Sequence, residues 1–162
     1  MNRIALVAMT VIPVCFGAEN TGKPYRYNGG GYALFGFGAC QHRVPYFNAS
    51  AGGEAFLVKG LTLGAEVGYN TFIESRSKSW GLGLLNVGYH FVDRSNPKKI
   101  EPFVNWGIIG AGFGEGSFGP AASLGGGVIY WFKPKMGIRS EFRYMVISEE
   151  RIPMFGVGIS FR

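Results

Sequence analysis

Arg139, Glu141 and Arg143 stand at alternate positions of "MGIRSEFRYMV" (136–146). Charges at that spacing have ion pairing as their nearest chemistry. A helix would scatter the three around its circumference, whereas a strand, with its period of two, sets them on one face. Glu54 and Glu66 recur on other segments that read as strands, and they complete a candidate set of two guanidiniums and three carboxylates. Groups suited to catalysis or metal binding are sparse. His42 and His90 are far apart, and Cys40 is the one cysteine beyond the N-terminal segment. This gives no ligand cluster for a metal, and no cofactor is expected. "GFGEG" (112–116) and "GGG" (125–127) do not precede a helix, so they are not phosphate loops. They read as lumen-facing or bulged strand positions.

The elements that must position these charges follow from pattern. Glycine is frequent at 27 of 162 residues, aromatics reach 15%, and charged residues only 16%. That is glycine-rich and aromatic-rich without a collagen period, and 47% hydrophobic content excludes disorder. One domain fits the length. "MNRIALVAMTVIPVCFGAEN" has one basic residue, an apolar run from Ile4 to about Phe16, and then small residues. This is the layout of a secretory signal peptide over residues 1–17, cleaved near Gly17/Ala18, and its apolar run is too short for a spanning helix. A short lead, 18–27, then precedes the folded region, 28–162. Losing Arg3 lowers the formal net charge of +6 by one, to +5. The positive charge is scattered, with one local group at Lys98–Lys99, so no nucleic-acid footprint is expected. No intramolecular disulfide is possible with Cys40 alone.

From about Gly29 the chain predicts strands of about 10 residues divided by turn signals. They cover 28–40, 48–58, 61–73, 80–92, 100–114, 120–132, the 136–146 stretch and 153–162. The last is cleanly two-sided: Phe155, Val157, Ile159 and Phe161 oppose Gly156, Gly158 and Ser160. The third sets Leu61, Leu63, Ala65, Val67 and Tyr69 against Thr62, Gly64, Glu66, Gly68 and Asn70. Strands four to six are less clean, because Leu82, Leu84 and Trp131 fall on the polar face. Glycine-induced bulges could shift the register there, and their faces stay open.

A soluble barrel would expose a face of glycine, serine and few charges, which water solvates poorly. A membrane barrel inverts the polarity, with large apolar side chains toward lipid and small or charged ones in the lumen. The expected fold is therefore all-β, an eight-stranded antiparallel up-and-down transmembrane β-barrel. With eight strands the lumen is wide enough only for side chains, so Arg139, Glu141, Arg143, Glu66 and Glu54 are expected to pair inside it. Tyr69, Tyr89, Phe91, Trp106, Tyr130, Trp131, Phe132 and Phe161 are expected to form interfacial girdles, and His90 to be an interfacial strand-end residue. With a periplasmic N-terminus, the turns "KG", "DRSNPKK" and "KPK" are periplasmic and the remaining connections are short external loops.

"KGLTLGAEVGY", "NVGYHF", "PFVNWG", "GGGVIYWF", "GIRSEFRY" and the terminal "GVGISFR" together resemble small bacterial outer-membrane β-barrel proteins of the OmpA-like or opacity-like type. The resemblance covers most of the chain after residue 28, and its order carries it more than any one motif. It implies the outer membrane, contact with outer-membrane lipid and lipopolysaccharide, and recognition by the outer-membrane assembly machinery through the strand ending Phe161-Arg162. It also implies a monomer. No periplasmic peptidoglycan-binding domain follows the barrel, so no cell-wall anchor is implied. The implied function is a non-enzymatic structural or envelope role with the lumen plugged by the charges named above. A narrow porin-like pore or an adhesin is an alternative; a lipid-binding soluble lipocalin-like barrel and a lipid A-modifying enzyme are others. Lipid A deacylases of this kind carry a His-x-Ser element. Here His42 and His90 are followed by Arg43-Val44 and Phe91-Val92.

Overall fold

The structure, a computed structural model, describes residues 29–39, 45–58, 60–73, 79–91, 98–114, 117–147 and 150–162. The signal peptide 1–17, the lead 18–27, Cys40 and His42 lie outside the described residues. Eight strands follow in chain order: β1 (Gly29–Ala39), β2 (Pro45–Val58), β3 (Leu61–Phe72), β4 (Ser79–His90), β5 (Ile100–Gly114), β6 (Ser117–Lys133), β7 (Met136–Ile147) and β8 (Glu150–Phe161). Each pairs antiparallel with the next, and β8 closes on β1 through Gly31 opposite Phe161 and Gly38 opposite Met154. Closure leaves no free sheet edge, which is the condition for taking strands into lipid.

The strands run further than turn signals alone predict. Pro120 and Pro153 mark expected strand starts, yet β6 begins at Ser117 and β8 at Glu150, with Pro153 paired to Tyr144 inside the ladder. The tight β2–β3 connection turns at Gly60, whose φ of 92° is a left-handed conformation that a residue with a Cβ rarely adopts.

Exposure fixes the polarity of the barrel. Phe35, Phe37, Leu63, Val67, Leu85, Leu124, Val128, Phe142, Phe155, Val157 and Ile159 all face outward. The residues that alternate with them are turned inward, among them Asn48, Glu66, Asn70, Arg139, Glu141 and Arg143. An apolar exterior around an ionised interior belongs to a barrel that spans a membrane.

β4 and β6 keep an unbroken alternation, and the faces of β5 are set by a bulge. Leu85 pairs with Ile109 and Asn86 with Gly107, so Ile108 is the extra residue, and Ile108 and Ile109 both face outward at 59% and 68% exposure. The parity of β5 flips there. Glu101, Phe103, Asn105 and Gly107 face the lumen on one side of the bulge and Gly112 on the other. Leu82, Leu84 and Trp131 are buried lumenal residues.

Three sequence expectations need correction, and His90, expected at an interface, is one of them: it is buried in the lumen. Trp131 is not part of an outer girdle: its indole is inside, held by a carboxylate. The lumen is not filled by small and charged groups alone, because Leu34, Tyr46, Leu82, Leu84, Met145, Ile147, Ile152 and Met154 form an apolar cluster within it. Alternation reports which side a residue faces. It does not report what that side needs at each height.

Candidate functional site

The lumen at mid-height is built on β7. Arg139, Glu141 and Arg143 project inward and are each 1% exposed. Their long side chains fit because each has at least one glycine beside it in register: Gly127 and Gly156 flank Glu141, Gly158 lies beside Arg139 opposite Ile129, and Gly125 lies beside Arg143 opposite Met154. The glycine runs of β6 and β8 therefore make the room that the charges of β7 occupy.

Within that room the charges pair. Arg139 Nε donates to Glu141 Oε2 at 2.9 Å and Arg143 Nε to Glu141 Oε1 at 2.7 Å, so one carboxylate bridges both guanidiniums along a single strand. Arg143 Nη1 crosses the lumen to Glu66 Oε1 at 2.5 Å, and Arg139 Nη1 lies 3.6 Å from Glu54 Oε1. All five residues singled out from the sequence meet here. Glu66 pairs with Arg143, not with Arg139.

Neutral groups complete the cluster, and sequence reasoning did not identify them. Tyr32 donates to Glu66 Oε2 at 2.6 Å, and Asn105 Nδ2 to Glu141 Oε1 at 3.0 Å. The Arg139 guanidinium lies between two rings, 4.2 Å from the centroid of Tyr32 and 3.9 Å from that of Phe103. A cavity of about 10 Å³, bounded by Tyr32, Glu54, Thr62, Asn86, Asn105 and Arg139, has room for about one water. Asn105 shares parity with Glu101 on β5, but counting back across the bulge from "GFG" places both on the wrong face.

Nearer the barrel end that carries Gly29 and Arg162 lies a second polar group. His90 ends β4 but turns inward, not into an interfacial belt. Its Nδ1 is 2.6 Å from Glu101 Oε1 and its Nε2 is 3.1 Å from Glu54 Oε2. Both ring nitrogens are thus engaged by carboxylates, which leaves none to activate a hydroxyl nucleophile. Trp131 Nε1 donates to Glu101 Oε2 at 2.8 Å. The Arg162 guanidinium stacks 4.1 Å over the Trp131 ring, and Arg162 Nε donates to the Pro134 carbonyl at 2.8 Å. Among the described residues, no group of three His, Cys, Asp or Glu side chains is arranged to hold a metal ion.

The far half of the lumen is mostly apolar, with Asn48 and Asn70 buried in it. Tyr46 packs between Phe72 and Trp80, with ring centroids 5.8 and 5.9 Å away, and its hydroxyl donates to Asn70 Oδ1. Asn48 Nδ2 donates to the same oxygen at 2.6 Å. Leu34, Leu82, Leu84, Met145, Ile147, Ile152 and Met154 fill the remaining width.

This barrel is similar to solved transmembrane barrels. Neisserial surface protein A (NspA) aligns with a TM-score of 0.58 at 13% identity, covering 82% of this chain and 94% of that one. Ail, the attachment invasion locus protein of Yersinia pestis, aligns at 0.55 and 10% identity over 83% and 97%. A de novo designed transmembrane β-barrel aligns at 0.55 and 15% identity over 83% and 96%. At these identities the likeness shows a shared closed-barrel fold. No protein-family model matches the chain, and no curated protein matches its sequence.

Proposed function

We propose that the protein is a non-enzymatic outer-membrane barrel with a structural role in the envelope and a lumen closed to solutes. The observation that carries this reading is the filling of the lumen at two heights. An ionised layer of Arg139, Glu141, Arg143, Glu66 and Glu54 lies next to an apolar layer around Tyr46, Leu34, Leu82 and Met154. An ion entering from one mouth meets charges already paired with one another, and from the other it meets a section packed mostly with apolar side chains. The charges act structurally, since each guanidinium is held by carboxylates that would otherwise be buried alone. The outer-membrane location is supported by the apolar exterior, by the N-terminal segment with the layout of a signal peptide, and by the likeness to NspA and Ail. The termini then face the periplasm. The strand ending Phe161-Arg162 is the element offered to the assembly machinery, and outer-membrane lipid and lipopolysaccharide are the immediate surroundings. A closed barrel has no edge for strand pairing with a second copy, which supports a monomer.

The test is threefold on one preparation. The folded chain should migrate differently before and after heating on a detergent gel. It should be extracted with outer membranes and not with osmotic-shock fluid. Added to a planar bilayer it should produce no stepwise conductance; regular steps would replace this reading with a narrow pore.

A further inference from the structure

The end of the barrel that carries Gly29 and Arg162 has a concentrated charge on its outer rim. Lys98 and Lys99 lead into β5, and Lys133 and Lys135 flank the β6–β7 turn, all four exposed. They belong to adjoining strands. Ile100 pairs with Tyr130, and Trp131 N donates to the Lys99 carbonyl at 2.7 Å, which sets the first pair of lysines beside the second. The turn is pinned from behind, because Arg162 donates through Nε to the Pro134 carbonyl and through its backbone N to the Lys135 carbonyl, at 2.8 and 3.2 Å. Among the described residues, the one carboxylate at this end of β5, β6 and β7 is Glu101, and it faces the lumen with His90 and Trp131. Directly alongside the lysines on the outer face lie Ile100, Tyr130, Phe132 and Ile138, all exposed. Amines above an apolar and aromatic wall match the two ends of one ligand class, an anionic phosphate headgroup and its acyl chains.

We propose that this rim is a binding site for an anionic phospholipid of the bilayer leaflet at the terminal end of the barrel. Lys98, Lys99, Lys133 and Lys135 hold the phosphate, and Ile100, Tyr130, Phe132 and Ile138 bear the acyl chains. The inference rests on the membrane-barrel reading above and names a partner within it. The full chain is folded into vesicles of phosphatidylcholine with a minor share of phosphatidylglycerol, extracted gently, and its retained lipids are counted by native mass spectrometry. Phosphatidylglycerol should be enriched over its share in the vesicle, and a single K99Q or K133Q change should weaken its retention about fivefold. The enrichment should vanish in K98Q/K99Q/K133Q/K135Q and persist in R151Q, which alters the opposite rim. With the unaltered chain, enrichment should fall as salt rises from 0.05 to 0.5 M, so the result does not depend on a variant folding. Enrichment absent from heat-modifiable, folded protein overturns the site. Lysine-dependent retention of lipid A in place of phosphatidylglycerol, from vesicles holding both, overturns the phospholipid assignment. A chain with no heat-modifiable species in any lipid overturns the barrel reading itself, and the site with it.

Discussion

Arg143 and Glu66, 77 residues apart in sequence, are joined across the lumen by Nη1 donating to Oε1 at 2.5 Å. Arg143 keeps a second partner on its own strand, because its Nε donates to Glu141. Replacing Glu66 with Ala therefore removes one of two carboxylates from a buried guanidinium and takes away the acceptor of the Tyr32 hydroxyl, which keeps Asn86 as a donor. The expected loss is below the roughly 3–5 kcal/mol of a fully orphaned buried charge but well above that of a surface charge. A double-mutant cycle of Glu66→Ala with Arg143→Ala, read from unfolding in detergent or lipid, should give a coupling of about 0.5–3 kcal/mol. The cycle of Glu66 with Arg139 should give a smaller one, since Arg139 is engaged by Glu141 and Glu54. Coupling that is equal in the two cycles would contradict the pairing.

Gly125 tests whether the glycines of β6 are there to make room. A Cβ at this position would stand 2.7 Å from Asn105 Oδ1 and 2.9 Å from Glu141 Oε1, so both side-chain ends must shift and strain the hydrogen bond between them. Gly125→Ala is expected to destabilise by about 1–3 kcal/mol, in the range of overpacked cores. The same change at Gly83, where an added Cβ meets nothing within 4 Å, should cost far less. Urea midpoints of the two variants in the same lipid make the comparison. Similar losses at both positions would mean that glycine acts here through strand propensity alone.

The alternation of β7 and β8 was legible because neither strand is bulged where it carries its pattern. "RSEFR" and "FGVGISF" keep a period of two from end to end, so the charged face and the apolar face could be assigned and the number of strands counted. β5 was not legible, because inserting Ile108 at the bulge reverses parity within one strand and both isoleucines look outward. Asn105, Glu101 and, through them, the surroundings of His90 and Trp131 were lost for that reason. The apolar layer escaped for a different one. Met145 and Ile147 continue the face of Arg143, and Ile152 and Met154 precede Gly156 on its face. The rule that lumens are polar hides apolar side chains that pack against one another inside the barrel.

That apolar layer makes its own prediction. Leu34 is completely buried and lies against Gly156, where a Cβ would come within 2.9 Å of its Cδ2. Leu34→Ala should leave a cavity and cost about 2–5 kcal/mol, the usual loss for a leucine that neighbours cannot replace. A lipid-facing leucine such as Leu63 should lose less on the same change, since acyl chains close over the space. Unfolding of Leu34→Ala and Leu63→Ala in one lipid decides between them, and equal costs would show that the lumen is not packed like a core.

The last prediction concerns the polarity of the whole barrel, which three adjacent residues of β8 can decide. Phe155 and Val157 are exposed at 52% and 46%, while Gly156 between them faces the lumen and Leu34. Single cysteines at 155, 157 and 142 should therefore react with a lipid-soluble maleimide in folded vesicles and resist a charged, water-soluble one. Arginine at 155 or 157 must place a guanidinium in hydrocarbon, at about 2–4 kcal/mol if the residue lies near the midplane and less toward either interface. Arginine at 156 fails by another route, because it must displace Leu34 and crowd Glu141, its partner in register on β7. The two mechanisms separate with bilayer thickness. Thinning the bilayer should relieve Phe155→Arg and Val157→Arg by bringing the interface closer, and should leave Gly156→Arg unchanged. Relief at 156 together with none at 155 and 157 would place the apolar face inside, and the barrel would be a soluble one.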